Sequence, residues 1–210
     1  MSSPENNNSQ NDENQKKHDS IKYGLISQGK SCIKVYDLIN SYFTYSKPSK
    51  YLIKDEFHYE FSPSLFPGLI ITINNLRKIE NIYTKYTQFN FFLILIDIQT
   101  TCIDFLDKAL DAIVDAGENS NTIKKSYVFG FFGDKNKKTI PEERITTIID
   151  AKGIEYYYSQ IKIDDIEKFC SIMEGIIGDS NTIMIEKFLD QKHSELTLDN
   201  SNSESHCYIF

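Results

Sequence analysis

Tryptophan is absent from the 210 residues, and proline (5), glycine (9), cysteine (4) and methionine (3) are all sparse. Without tryptophan, aromatic packing falls to 14 phenylalanines and 13 tyrosines, enough to matter throughout a core. The cysteines (Cys32, Cys102, Cys170, Cys207) are far apart and form no C-x-x-C or Cys/His pattern. This excludes a zinc ribbon or disulfide framework and points to a reducing, intracellular setting. The longest apolar run, Phe91 to Ile98, falls well short of the roughly 20 residues a spanning helix needs. The first residues are polar, so no secretory signal is read. Positive charge is also in deficit. Lys and Arg total 23 against 30 Asp and Glu, a net charge of −7 with no basic stripe, which argues against nucleic acid as the main partner.

What is present is ordinary for a globular chain: 40% hydrophobic and 25% charged residues, at a length that suits one domain with tails. Residues 1–19 are polar and Asn-rich, with little to bury, and read as a disordered head. Residues 20–192 read as one domain, and 193–210 as a flexible tail. Within the domain, Ile21–Ile26 is expected as a strand, followed by a Gly-containing turn and a helix from Ser31 to about Tyr42. Tyr51–Phe61 suits a single edge strand. The β-branched run Leu69–Ile73, the apolar run Phe91–Ile96 and Tyr127–Phe132 are expected as buried strands, and Ile154–Tyr158 as the last. Apolar residues at Ile103, Leu106, Leu110 and Val114 give a helical stripe. Pro141 opens a helix that Gly153 ends, and Asp164 is placed to cap another helix beginning near Asp165. A break at Gly178-Asp179-Ser180-Asn181 separates that helix from a terminal one over Thr182–Gln191. Alternating strands and helices predict an α/β fold: a mostly parallel six-stranded sheet flanked by about five helices.

Two motifs carry chemistry. Gly24-Leu25-Ile26-Ser27-Gln28-Gly29-Lys30-Ser31 fits G-x-x-x-x-G-K-[ST], the P-loop pattern, between the first strand and first helix. In such a loop backbone N–H groups wrap phosphates, Lys30 reaches the β- and γ-phosphates and the Ser31 hydroxyl ligates Mg²⁺. Leu25 and Ile26 are bulky for a loop and suit the strand, which would shorten it. The last four residues, Cys207-Tyr208-Ile209-Phe210, form a C-a-a-X box, and its terminal Phe favours a geranylgeranyl group on Cys207. A single chain gives only marginal membrane residence, and no polybasic run lies upstream.

With these motifs at opposite ends of one α/β domain, the chain resembles the Ras superfamily of small GTPases, of the Ras/Rab kind, over about Ser20 to Ile177. The resemblance implies a P-loop NTPase fold. It implies GTP or GDP with Mg²⁺ held through Gly24, Gln28, Gly29, Lys30, Ser31 and Cys32. It places Ser49 at the switch I position beside the metal, and a surface for effector or regulator proteins around Tyr45–Lys54. The family's D-x-x-G falls near Ile71-Thr72-Ile73-Asn74, where neither the Asp nor the Gly is present, and no Gln follows to orient water. Its N-K-x-D falls on Gly133-Asp134-Lys135-Asn136-Lys137: Lys135 matches, Asp134 replaces Asn, and Lys137 offers donors where guanine also offers donors. Of S-A-K only Lys162 remains.

The chain thus looks like a divergent member, a lipid-anchored signalling or trafficking protein. It would lie on the cytoplasmic face of a membrane with a cytosolic pool, hydrolysing GTP slowly or not at all. The alternative is a pseudoGTPase, an interaction module that binds no nucleotide. A third reading, a P-loop ATPase or kinase using Asp97 for Mg²⁺, competes with Asp97 being a turn residue that ends its strand.

Overall fold

The computed structural model describes residues 20–28, 34–47, 50–54, 58–100, 102–120, 122, 124–133 and 136–203. They form an α/β fold in the order β1 (Ser20–Ser27), α1 (Val35–Ser46), β2 (Lys50–Lys54), β3 (His58–Ser62), β4 (Ile70–Asn75), α2 (Asn81–Lys85), β5 (Phe91–Asp97), α3 (Ile103–Asn119), β6 (Ser126–Phe132), α4 (Glu142–Asp150), β7 (Tyr156–Lys162) and α5 (Ile166–Ser203). A 3₁₀ turn, Tyr86–Gln88, follows α2. The strands make one seven-stranded sheet in the order β2-β3-β4-β1-β5-β6-β7. β4, β1, β5, β6 and β7 run parallel, while β2 and β3 are antiparallel additions at one edge.

The sheet has seven strands rather than six because the expected edge strand over Tyr51–Phe61 is a hairpin of two, β2 and β3, with a register shift between Tyr51 and Ile53. The last strand lies later than expected, at Tyr156–Lys162. The short helix α2 carries too brief a stripe to be read from periodicity, and Ile82 alone buries it.

β5 shows why a continuous apolar run means a central strand. All seven of its residues are buried. Phe91, Leu93 and Leu95 join the core beneath α1 and α5, whereas Phe92, Ile94 and Ile96 join the core beneath α3 and α4. Aromatic rings fill the first of these layers: Phe43 and Phe61 meet edge to face at 5.0 Å, and Phe129 and Phe169 at 5.7 Å. The second is mixed: Tyr86, Phe89 and Phe92 form an aromatic group, and Leu106, Leu110 and Ile113 of α3 share an aliphatic part with Ile94, Ile96 and Val128.

Helix ends follow local chemistry. α1 closes on Lys47, left-handed at φ 44°, whose N–H donates to the Phe43 carbonyl. Past α4, Gly153 takes φ +65°, a turn that glycine makes without strain. Asp165, rather than Asp164, caps α5: its Oδ1 accepts the Lys168 N–H at 3.1 Å. Asp164 instead pairs with Lys162.

α5 is one helix of 38 residues, about 57 Å long at 1.5 Å per residue, without the expected interruption at Gly178–Asn181. Two of the polar residues there have partners on β6. Ser180 is fully buried and bonded to the Tyr127 hydroxyl at 2.9 Å, and Asp179 accepts from the same hydroxyl at 2.8 Å. The helix continues through Ser203, into the stretch expected as tail. Among the described residues no helix is long and apolar enough to cross a membrane.

Candidate functional site

The chain leaving β1 passes through α1 toward β2–β4, and the chain leaving β5 passes through α3 toward β6 on the other side. Connections diverge between the ends of β1 and β5, and in open α/β sheets such a switch point opens the crevice where ligands bind. Gly29, Lys30, Ser31 and Cys32, which come after β1 in the sequence, lie outside the described residues, as do Ser49, Asp134, Lys135 and Cys207.

Of the residues expected to hold nucleotide in the phosphate loop, Gly24 and Gln28 are described. Gly24 lies within β1, paired with Asn74 on one side and Phe92 on the other, so it is a strand residue rather than part of a phosphate-wrapping loop. Its lack of a side chain answers to packing: an added Cβ would come within 2.9 Å of both the Phe89 and Phe92 rings. Leu25, Ile26 and Ser27 continue the strand against Leu93, Ile94 and Leu95. The free loop therefore starts only at Gln28, whose own N–H donates to the Leu95 carbonyl at 3.0 Å.

The Gln28 carboxamide reaches across to the end of β5. Its Oε1 accepts the Asp97 backbone N–H at 3.0 Å, and its Nε2 donates to Thr100 Oγ1 at 3.1 Å. Thr100 Oγ1 in turn donates to the Asp97 carbonyl at 3.0 Å. A second glutamine continues the seam one strand further. Gln99 Oε1 accepts the Gly133 N–H at 2.8 Å, and its Nε2 donates to the Lys137 carbonyl at 3.3 Å. The ends of β1, β5 and β6 are thus laced together by two carboxamides. Asp97 is buried, and its Oδ1 accepts the Gln99 N–H at 3.0 Å, the geometry of a turn-forming aspartate. Next to it, burial pushes the Cys102 thiol up to about 11, with Asp97 reinforcing and Arg144 opposing the shift, so this cysteine is packing rather than a nucleophile.

On the flanks, Ile71–Asn74, the segment expected to align with D-x-x-G, lies within β4, with a fully buried Ile71 at the acid's position and Asn74 and Asn75 at the strand's end. Asn74 Oδ1 is bonded to His58 Nδ1 at 2.7 Å, and Asn75 Oδ1 accepts the Arg77 N–H at 3.1 Å. Lys162 ends β7 and pairs with Asp164. Among the described residues, no three His, Cys, Asp or Glu side chains gather as a metal site. The expected effector region is described in part. Tyr45 is half exposed beside a groove of about 710 Å³ that Asp37, Ser41, Thr44 and Lys47 also line.

Sequence reasoning singled out Gln28 for nucleotide and missed Gln99 and Thr100. The signal was available: polar residues directly after a fully buried parallel strand sit at the end of the sheet where α/β folds place their chemistry. Neither a protein-family model nor a curated protein matches this sequence.

Proposed function

We propose that this protein is a pseudoGTPase: an interaction module of small-GTPase-like build whose β1–β5 crevice is bridged by its own side chains instead of being kept for a nucleotide. The observation that carries this reading is the Gln28 carboxamide, bonded at both ends to the Asp97–Thr100 turn. The placement of Gly24 inside β1 supports it, because phosphate loops need their N–H groups turned toward the ligand and those of the strand are committed to the sheet. Asn74 and Asn75 at the end of β4 add further support, since neither can supply the carboxylate that steadies Mg²⁺. Partner proteins would meet the surface around Tyr45, and a geranylgeranyl group on Cys207 would give reversible membrane contact.

A second reading keeps nucleotide binding through Gly29, Lys30 and Ser31, with GTP or GDP and Mg²⁺. It is favoured by the G-K-S sequence falling between β1 and α1 in the chain. Nucleotide content separates the two. Protein purified without added nucleotide is denatured and the supernatant chromatographed. An empty site that also ignores added GTP and ATP with Mg²⁺ is expected. Stoichiometric GDP or GTP, lost in Lys30→Ala, would overturn the pseudoGTPase reading. Cys207→Ser should move the protein from membranes to the soluble fraction, and unchanged partitioning would remove the lipid from the account.

A further inference from the structure

The sheet ends on β7, and only part of that edge is protected. Backbone direction follows from its pairing with β6. The Glu155 carbonyl accepts from Ser126 N–H at 2.9 Å, and Ile163 N–H donates to the Phe132 carbonyl at 2.9 Å. Alternation then turns the backbone groups of Tyr157, Ser159 and Ile161 toward β6, and those of Tyr156, Tyr158, Gln160 and Lys162 outward. The outward carbonyl of Gln160 accepts from Lys168 Nζ at 2.8 Å, and that of Lys162 from Asp165 N–H at 2.9 Å. The outward N–H and C=O groups of Tyr156 and Tyr158 have no partner among the described residues. Natural sheets blunt such edges with bulges, prolines or charges. This half of β7 carries none of them, and its register with β6 is unbroken.

Tyr157, between those two residues, is 41% exposed on the same face as α5. It borders a groove of about 440 Å³ with Tyr127, Ile172, Gly175 and Asp179. A Cβ on Gly175 would meet nothing within 4 Å. Packing inside one chain therefore gives no reason for a glycine in the middle of α5, where it weakens the helix relative to alanine.

We propose that β7 is a self-association edge, at which a second copy of this chain adds its own β7 antiparallel about a two-fold axis through the two Tyr157 residues. The uncapped groups select this register. They lie one residue either side of Tyr157, so Tyr156 and Tyr158 of one copy exchange N–H···O=C bonds with Tyr158 and Tyr156 of the other. The arrangement is self-complementary, as an isologous contact requires: Glu155 falls opposite Ser159, and no like charges oppose each other along the uncapped stretch. A two-fold perpendicular to the sheet keeps both α5 helices on one face, with the Gly175 sides turned toward each other across the paired strands. That gives the groove its occupant and the glycine its reason.

Sedimentation velocity of the full chain over a hundredfold concentration range tests this. The wild type is expected to shift from monomer to dimer. Tyr157→Lys and Tyr157→Glu are each expected to weaken the dimer at least tenfold with an unchanged circular dichroism spectrum, and an equimolar mixture of the two to recover it. Tyr156→Pro removes one outward N–H at the first residue of the strand, where proline is tolerated, and should weaken the dimer similarly. A wild type that stays monomeric throughout would overturn the proposal. So would a dimer indifferent to Tyr157→Lys and Tyr156→Pro, because its contact would then lie elsewhere, for example on the exposed Phe188 side of α5.

Discussion

Gln28 and Asp97 are joined across the switch point of the sheet, the side-chain Oε1 of one accepting the backbone N–H of the other at 3.0 Å. The bond ties the end of β1 to the turn that follows β5. Gln28→Ala should leave the part-buried Asp97 N–H and the Thr100 hydroxyl without this partner and cost about 1–3 kcal/mol. Urea denaturation checks it: an unchanged midpoint and slope would mean that the seam holds nothing together.

Gly24→Ala separates a packing role from a phosphate role. The new Cβ would press on the Phe89 and Phe92 rings at 2.9 Å, and overpacking of this kind costs about 1–3 kcal/mol. The expected outcome is a lowered melting temperature. A variant as stable as the wild type would show that the two rings can yield.

At the opposite end of the sheet, Lys125 Nζ lies 3.0 Å from Asp179 and 2.9 Å from Glu155. Burial alone would raise the Asp179 carboxyl. The Lys125 and Tyr127 hydrogen bonds outweigh it and hold the group below its ordinary 3.8. A depressed acid stabilises the fold above its unfolded pKa, and that contribution is lost as pH falls through the folded value. The difference in stability between wild type and Asp179→Asn should therefore be full near about pH 6 and shrink below 3.8. Its size is about 1 kcal/mol or less, because the carboxylate is 46% exposed and screened. A gap that persists unchanged at low pH would remove the charge from the explanation.

Lys124 behaves in the opposite sense. Its Nζ donates to the Tyr86 carbonyl at 2.7 Å and to that of Phe89, closing the 3₁₀ turn, and burial pushes its pKa down to about 8, with Lys187 adding to the shift. Between about 8 and 10.5 the unfolded chain binds this proton more tightly than the folded one, so stability rises with pH across that window. Relative to Lys124→Met, which cannot titrate, the wild type should gain stability from pH 8 to 10. A constant difference between the two across that range would show that the ammonium is not buried in this way.

The sequence by itself determined the fold class, and particular segments show why. Phe91–Asp97 has no polar residue until its last position and is too short for a buried helix, so it reads as a strand covered on both faces. The stripe through Leu106, Leu110 and Ile113 can only be a helix with one buried side. Such periodicities are local and survive in one dimension. Tertiary structure decided what depends on contacts between distant residues. Gly24 lies in the strand expected over Ile21–Ile26, but that this strand position takes a glycine follows only from the Phe89 and Phe92 rings, which claim the space above it. Asp179 and Ser180 continue a helix because Tyr127, some fifty positions earlier, takes up their polar groups, although Gly-Asp-Ser-Asn reads as a break. Gln28 meets Asp97 and Thr100 only after β1 and β5 are laid side by side. A hydrogen bond between residues so far apart leaves no periodic trace, and parallel pairing of the two strands is what brings the groups within 3 Å or so of each other.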